Sequence, residues 1–158
     1  MSYLEELKNN IIIREIPLSK LNALSNLYNK FCIETAQKTP FPFSDKPLEK
    51  RTKELSEMGH IILVAYSNEV PIGYIIGTTQ QKPQARLRQL FIKKEFRGQG
   101  IADDLFKRLM QWFKSKDRDL IYVSTMYQNK EAKAFYLRMG FIGEIVMYRH
   151  KIGKGIKT

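Results

Sequence analysis

The sequence predicts one mixed α/β domain with the element order βααβββαβαβ. Its 158 residues are the length of one ordinary domain. Apolar residues follow a helical period in the first third of the chain, then short strand patterns, then alternating helices and strands. No internal repeat, linker or low-complexity segment interrupts this order. Together these observations predict an α+β arrangement around a mixed sheet.

The N-terminal part predicts a strand followed by two helices. The β-branched run 11–16 predicts the first strand. Ser19 is the predicted N-cap of a helix whose apolar residues recur at steps of three and four. Three prolines in 37–47 predict a loop. A second helix is predicted from Pro47 to Met58, because proline favours the first helical turn and a glycine follows the last one.

The middle of the chain predicts a meander of three strands. Residues 60–67 and 71–80 are apolar, β-prone runs that flank the short connector 68–70, so they predict a hairpin. Residues 85–92 alternate in polarity and predict the third strand.

The C-terminal part alternates helices with strands. Apolar residues share one helical face from Ile101, and 120–126 predicts a buried strand. A helix is predicted over 129–139, closed by Gly140 because glycine favours the left-handed conformation that ends a helix. Residues 141–150 predict the last strand or strands.

Residue content argues against several classes of protein. No run of eighteen apolar residues exists, so a membrane span is not expected. The first ten residues contain two glutamates and no apolar core, unlike a secretory signal. Cys32 alone cannot form an internal disulfide, and His60 and His150 match no ligand spacing. We therefore expect a cytoplasmic protein that needs no metal.

Positive charge is concentrated in two segments. Lys and Arg number 27 against 16 Asp and Glu, a formal net charge of +11. Residues 82–97 contain six cations and one acid, and 149–158 contain four cations and no acid. Such a field attracts negative species. Solubility and an anionic ligand or partner both account for it.

The stretch 97–105, RGQGIADDL, predicts a turn between a strand and a helix that an anion can approach. A helix N-terminus offers unpaired N–H groups, and glycines allow close approach. A P-loop is excluded because the required Gly-Lys-Ser/Thr is missing. A dinucleotide fingerprint is excluded because Asp103 stands where a third Gly or Ala is needed and the next strand ends without an acid. Asp103 and Asp104 are predicted to be first-turn charges that face away from the bound anion.

Two motifs in the correct order resemble the GNAT superfamily of N-acetyltransferases. The pattern Q/R-x-x-G-x-G/A is met by Arg97, Gly100 and Ala102. The pattern N-x-x-A-x-x-F-Y followed by G-F is met by Asn129, Ala132, Phe135, Tyr136, Gly140 and Phe141. The strong match covers 85–143, and the preceding hairpin is also similar to the family. The resemblance implies the GNAT fold, whose central sheet is splayed.

The resemblance implies a site for acetyl-CoA as cosubstrate. The pantetheine arm would pair with the backbone of the strand, and Asn129 would contact the same arm. Lys133 would reach an adenosine phosphate or be simply solvated. The strand residues implied are Leu90, Phe91 and Ile92, and the N–H groups implied for the pyrophosphate are those of Arg97, Gly98, Gln99, Gly100, Ile101 and Ala102.

The implied reaction is direct attack of an amine on the thioester. Tyr136 would act as general acid, because an ordinary phenol near pKa 10 stays protonated at neutral pH. A main-chain N–H on 85–92 would stabilise the oxyanion. Many family members carry a glutamate on this strand, but this sequence has none. Glu34 and Asp45 are outside candidates for the base, and a surface charge is the alternative for each.

The acceptor is not identified by the sequence. The family builds its acceptor pocket where Tyr28, Phe31, Phe41 and Phe43 occur. A polycationic acceptor is disfavoured because no acidic cluster marks this region and the chain is basic. A small molecule or peptide α-amine is favoured, and aminoacyl-tRNA stays open. A silent acyl-CoA-binding domain and an RNA-binding module are the rival functions, and a homodimer also stays open.

The missing carboxylate predicts a pH dependence. Deprotonating a lysine-like amine of pKa about 10.4 at pH 7 costs about 4–5 kcal/mol, whereas an α-amine near 7.7–8.0 costs about 1 kcal/mol. We therefore expect an acceptor amine of low pKa, or deprotonation through water to bulk solvent. The value of kcat/KM should rise with pH until the amine is deprotonated, and a flat profile between about pH 6 and 9 contradicts this expectation.

Overall fold

A five-stranded sheet and four α-helices make up the computed structural model, which describes residues 10–152. The strands are β1 Ile11–Glu15, β2 His60–Ser67, β3 Val70–Thr79, β4 Gln84–Ile92 and β5 Leu120–Val123. The α-helices are α1 Ser25–Ala36, α2 Leu48–Ser56, α3 Ile101–Ser115 and α4 Lys130–Arg138, and two 3-10 helices span Leu18–Leu24 and Lys94–Phe96. The predictions made for the N-terminal nine residues and for the tail beyond 152 lie outside the described residues.

The described chain divides into two compact units. The first unit contains the residues up to Phe31 together with Asp45–Ser124, and therefore all five strands and α3. The second unit contains Cys32–Ser44 and the residues from Thr125 onward, including α4. Within 10–152, no helix is both long and apolar enough to cross a membrane.

The strand order β1-β2-β3-β4-β5 follows the chain, and only β5 runs parallel to its neighbour. The predicted hairpin is confirmed, with Ser67 paired to Val70. Asn68 and Glu69 form its turn with φ of 47° and 64°. Two successive residues of positive φ match the twist of the flanking strands, which is why such turns close tight hairpins.

Strands β4 and β5 pair along only part of β4. They pair over Gln84–Leu87, opposite Leu120–Val123, although β4 continues to Ile92. On the other side of β4, the register with β3 slips by one residue: Ile76 lies opposite Gln89 and Gly77 opposite Leu87. Arg88 is the extra residue of this bulge. A bulge increases local twist and re-aims side chains.

One face of the sheet buries the main apolar cluster of the first unit. Side chains from the first 3-10 helix, α1 and α2 pack there against β2, β3 and β4. This cluster consists of Ile16, Leu21, Leu24, Leu27, Leu55, Ile62, Val64, Tyr74, Ile76 and Phe91. Helix α3 contacts β2, β3 and β4 as well. Four of the five residues predicted for its apolar face are buried, Ile101, Leu105, Leu109 and Phe113. The fifth, Trp112, is half-buried, and Phe106 is buried as well.

Two predicted element boundaries are wrong. Ser19 does not cap an α-helix, because the carbonyl of Pro17 accepts from the N–H of Lys20 at 2.9 Å and starts a 3-10 helix instead. The strand predicted over 120–126 ends at Val123 and is partly exposed rather than buried. It ends where its pairing with β4 ends, since a strand needs a hydrogen-bonded neighbour.

The last predicted strand is also wrong for the described structure. Residues 141–150 have no regular secondary structure and no strand partner among 10–152. Ile142, Ile145, Met147 and Tyr148 are each more than 80% exposed. A run of β-prone residues does not make a strand when no neighbouring strand pairs with it.

Gly77 provides a test of how closely α3 packs on the sheet. A Cβ at this position clashes with Leu109 Cδ1 and lies 2.9 Å from Phe113 Cζ. Overpacking of this kind costs roughly 1–3 kcal/mol. Gly77→Ala should therefore lower Tm by roughly 2–4 °C per kcal/mol in thermal unfolding. Gly143→Ala is the control, because nothing lies within 4 Å of its Cβ; equal Tm values for the two variants would contradict close packing.

Candidate functional site

The glycine turn between β4 and α3 has a backbone that only glycine adopts readily. Gly98 has φ of 75° and Gly100 has φ of 80°. Both lie in the left-handed region, where other L-residues are strained. Nothing lies within 4 Å of a Cβ built on either residue, so open space faces the turn at both positions. Neighbouring atoms therefore do not require these glycines; the backbone conformation does, and it leaves room for a ligand.

The turn presents a run of main-chain donors. Gly100 caps α3 without a side-chain hydrogen bond to the helix. Five consecutive N–H groups have no acceptor among residues 10–152, those of Gly98, Gln99, Gly100, Ile101 and Ala102. The prediction also included the N–H of Arg97, but this group donates to the carbonyl of Lys94 at 3.3 Å. The donors available to a ligand therefore begin at Gly98. Unpaired donors at a helix N-terminus bind anions.

The side chain of Arg97 turns back toward β4. Its Nε donates to the carbonyl of Ile92 at 2.9 Å, and its guanidinium lies 5.5 Å from the centroid of the Phe91 ring. A fixed cation therefore stands where the strand enters the turn. Ile92 was predicted to pair with pantetheine through its backbone. Its carbonyl oxygen already accepts one hydrogen bond from Arg97, so one lone pair remains for a ligand.

The edge of β4 beyond Leu87 offers main-chain groups to a ligand. Residues 88–92 have no β5 partner within the described chain. Phe91 and Ile92 are buried and Leu90 is half-buried, which holds the strand firmly while one edge lacks a neighbour. An unpaired strand edge accepts an extended ligand through backbone hydrogen bonds. Leu90, Phe91 and Ile92 lie in this segment, as the predicted pantetheine contact requires.

A groove of about 730 Å³ runs between β1 and α3 in the same unit. Asp104 lines it together with Gln99, Lys107 and Arg108. Arg108 Nη1 donates to the carbonyl of Ile13 across this groove at 3.0 Å. Asp103 is the other acid in the first turn of α3, where negative charge is favourable.

In the second unit, Asn129 caps α4. Its Oδ1 accepts from the N–H of Ala132 at 3.2 Å. The amide Nδ2 has no acceptor among the described residues, so it keeps both donors for a ligand carbonyl. Gly140, with φ of 92°, follows the helix, as predicted.

Lys133 is held by its own unit. Its Nζ donates to the carbonyl of Tyr127 at 2.8 Å and lies 3.9 Å from the centroid of the Tyr127 ring. These contacts place the ammonium over the loop that precedes α4. An ammonium has three donors, so two are left for a phosphate.

Tyr136 lies on α4 within an aromatic cluster. Its ring meets Phe135 and Phe141 edge to face, with centroids 5.4 and 5.5 Å away. Its carbonyl accepts from the N–H of Phe141 at 3.0 Å, which fastens the segment after the helix. Burial raises the pKa of Tyr136 to about 12. The phenol therefore stays protonated throughout the neutral range.

The four aromatic residues of the predicted acceptor pocket have different surroundings. Tyr28 is a core residue whose hydroxyl donates to the carbonyl of Lys46, and Phe31 packs edge to face on Phe91. Both therefore stabilise the fold of the first unit. In the second unit, Phe41 and Phe43 are half-buried. The guanidinium of Arg149 lies 4.9 Å from the centroid of the Phe41 ring.

Asp45 belongs to a polar network with Arg51, Gln89 and Tyr74. Its Oδ1 accepts from Arg51 Nη2 at 2.8 Å and its Oδ2 from Gln89 Nε2 at 3.0 Å. Gln89 Oε1 in turn accepts from the hydroxyl of Tyr74 at 3.0 Å. The Asp45 side chain is only 16% exposed. It is therefore not a surface charge, and both of its oxygens accept hydrogen bonds from other side chains.

The other candidate base, Glu34, is half-buried on α1. The network around Asp45 does not include it. One sequence signal for that network exists, since Gln89 is a polar residue on the buried side of an alternating strand and such a residue needs a hydrogen-bond partner. The sequence does not say that the partner is Asp45, forty-four positions away.

Comparison with known proteins gives a family match over most of the chain. Residues 21–141 match the Acetyltransferase (GNAT) family. An uncharacterized N-acetyltransferase of Methanocaldococcus jannaschii is 28% identical over 80 residues, which are 47% of this chain and 35% of that protein. N-alpha-acetyltransferase 30 of Schizosaccharomyces pombe is 34% identical over 94 residues, 55% of this chain and 61% of that protein. The chain thus spans less than two thirds of either relative.

Solved structures share the fold. The PaiA N-acetyltransferase of Thermoplasma acidophilum, solved in complex with coenzyme A, superimposes with a TM-score of 0.68 at 21% identity. The match covers 85% of this chain and 91% of that one. A likeness at this identity establishes the architecture and assigns no role to any side chain of this protein.

Two substitutions at Gly100 separate the two roles of glycine in the turn. Gly100→Ala places an L-residue in the left-handed region, which costs roughly 1–2 kcal/mol. Gly100→Asn tolerates this conformation better but fills the open space. We expect Ala to lower both Tm and the affinity for CoA, and Asn to recover most of the Tm but not the affinity. Calorimetric titration with CoA measures this; wild-type affinity in Gly100→Asn would contradict close approach of the ligand.

Proposed function

This chain belongs to the acetyltransferase (GNAT) family, and from that premise we propose that it transfers the acetyl group of acetyl-CoA to a primary amine by direct attack. This proposal rests on the segment 88–102, in which residues 88–92 have no β5 partner on one edge and the N–H groups of 98–102 have no acceptor among the described residues. This segment joins a free strand edge to a helix N-terminus through two glycines of positive φ. An elongated ligand with an anionic group at one end matches both parts.

The residues present fit acetyl-CoA. We assign the pyrophosphate to the N–H groups of 98–102, with Arg97 as the adjacent cation, and the pantetheine arm to the edge of β4 formed by Leu90, Phe91 and Ile92. Asn129 Nδ2 is a donor for the same arm, and Lys133 is assigned to an adenosine phosphate. When bound, acetyl-CoA supplies an acetyl group already activated as a thioester.

Tyr136 is the proposed proton donor to the leaving sulfur. Its pKa of about 12 keeps the proton on Oη at every working pH. A thiol has an ordinary pKa near 8.5, so complete transfer from this phenol is uphill by about 5 kcal/mol. We therefore assign Tyr136 the role of hydrogen-bond donor during bond cleavage, with the proton lost by the acceptor amine completing the balance.

The favoured acceptor is an α-amine of a peptide or small molecule. An α-amine loses its proton more readily than a lysine, and both oxygens of Asp45 are already hydrogen-bonded. The name of the yeast relative, N-alpha-acetyltransferase 30, supports an α-amine acceptor. An α-amine carried on tRNA would also use the positive charge.

Release of free thiol from acetyl-CoA tests the proposed function. The assay compares peptides with free α-amines, small primary amines, lysine side chains in N-terminally blocked peptides, and charged tRNA. We expect acetylation of α-amines before lysine side chains. Acetyl-CoA binding without release for any acceptor would indicate a silent acyl-CoA-binding domain. RNA binding that is salt-sensitive and independent of acetyl-CoA would indicate an RNA-binding module.

Removing the Tyr136 hydroxyl tests its role. Tyr136→Phe should lower kcat by about tenfold to a hundredfold, because a hydrogen bond to a charged group contributes about 1.5–3 kcal/mol. The KM for acetyl-CoA should change little, because the aromatic contacts of the ring remain. Tyr148→Phe is the control, since Tyr148 is 89% exposed in the same unit. Unchanged turnover in Tyr136→Phe would remove the assignment.

A further inference from the structure

Strand β4 carries two arginines that have no carboxylate partner among the described residues, Arg86 and Arg88. Arg88 Nε donates to Thr78 Oγ1 at 2.9 Å and its Nη2 to Met58 Sδ at 3.5 Å. Neither contact neutralises its charge. Arg86 lies opposite Thr78 in the β3–β4 register and forms no hydrogen bond to a residue of 10–152.

The nearby acids are already neutralised by other cations. Asp45 pairs with Arg51, and Glu54 pairs with both Lys46 and Arg51. The Lys46 hydrogen bond lowers the pKa of Glu54, which stays ionised. The group therefore contains four cations, Lys46, Arg51, Arg86 and Arg88, and two carboxylates, Asp45 and Glu54. Its net charge is two positive charges. Burial, and then the like charge of Arg86, lower the pKa of Arg88, while the charge of Glu54 raises it; an anion bound beside both arginines would offset their mutual repulsion.

The position of Arg88 connects this charge to the reaction. It is the bulged residue of β4, and it is the first residue of β4 without a β5 partner. The proposed pyrophosphate site lies beyond the other end of this free edge, in the turn at 98–102. A pantetheine arm that leaves the turn and follows the edge therefore reaches Arg88 with its thioester end, where the acceptor amine has to arrive.

We propose that Arg86 and Arg88 form a receptor for an anionic group, a carboxylate or phosphate, that the acceptor carries within a few bonds of its amine. This inference rests on the proposed function for the identity of the ligand as an acceptor. The planar fork of a guanidinium suits both oxyanions. The favoured substrate class is accordingly a peptide whose second residue is acidic or phosphorylated.

A set of matched peptides tests the receptor. Peptides that differ only at the second residue carry Asp, Asn, phosphoserine or Ser, so that the carboxylate and phosphate arms each have a neutral partner. A hydrogen bond to a charged group predicts a kcat/KM about tenfold to hundredfold higher for the anionic member of the pair. Arg88→Gln and Arg86→Gln should bring this ratio toward one, and Arg88→Lys should keep part of it.

Arg14→Gln is the matched control, because it removes one positive charge from an exposed ion pair with Glu69 elsewhere on the sheet. It should leave the anionic preference intact. Equal kcat/KM for Asp and Asn peptides and for phosphoserine and Ser peptides in the wild-type enzyme would overturn the proposal. Loss of preference in Arg14→Gln as well as in Arg88→Gln would also overturn it, since general charge attraction would then suffice.

A binding measurement separates this inference from the proposed function. Inorganic phosphate is titrated with saturating CoA present, so that the glycine turn is already filled, and Tm is compared with chloride at equal ionic strength. We expect stabilisation by phosphate in the wild type and Arg14→Gln but not in Arg88→Gln. If this holds while no acceptor is acetylated, the proposed function fails and the anion receptor stands. If phosphate stabilises Arg88→Gln equally or stabilises neither protein, the receptor is refuted.

Discussion

The short pairing of β4 with β5 is the constraint on which the first unit of this protein depends. Four residues of each strand are paired, and beyond Leu87 one edge of β4 has no neighbour within the described chain. An unpaired edge is normally a hazard, since it offers its hydrogen-bonding groups to any passing strand. Here the same strand is held on its other edge by β3, and Phe91 and Ile92 are buried. The edge therefore stays rigid and available for a ligand.

The polar network around Asp45 serves the same strand from the other side. Gln89 is 5% exposed, and a buried amide without partners would cost about 1–3 kcal/mol for each unsatisfied group. Tyr74 donates to its oxygen and Asp45 accepts from its nitrogen, so both ends are satisfied. Arg51 then neutralises Asp45. Asp45 before α2, Arg51 on α2 and Tyr74 on β3 thus fix the position of β4 next to its bulge. A less firmly held strand would misplace a ligand bound to its edge.

Most elements could be predicted because their signals are local. The hairpin turn at Asn68 and Glu69, the helix beginning at Ile101 and the glycine that closes α4 follow from residues within one or two turns of each other. The errors occurred where distant contacts decide. The predicted strand 120–126 ends at Val123, where its pairing with β4 ends, and 141–150 is rich in β-prone residues but has no strand partner among the described residues. The sequence also does not predict that Asp45 is buried in a hydrogen-bonded network, because its partner Gln89 is forty-four positions away.

The family, the glycine turn and the start of α4 follow from short sequence motifs. Two glycines that require positive φ and an asparagine at a helix N-cap are short-range features that a motif records fully. The tertiary structure alone decided which N–H groups of the turn are available, where the edge of β4 becomes free, and which arginines lack a counter-charge. Each of these features depends on hydrogen bonds or ion pairs between residues that are distant in sequence, and folding decides which of those residues meet. The charge of Arg88 is written in the sequence, but the absence of a carboxylate beside it in the described chain follows only from the fold.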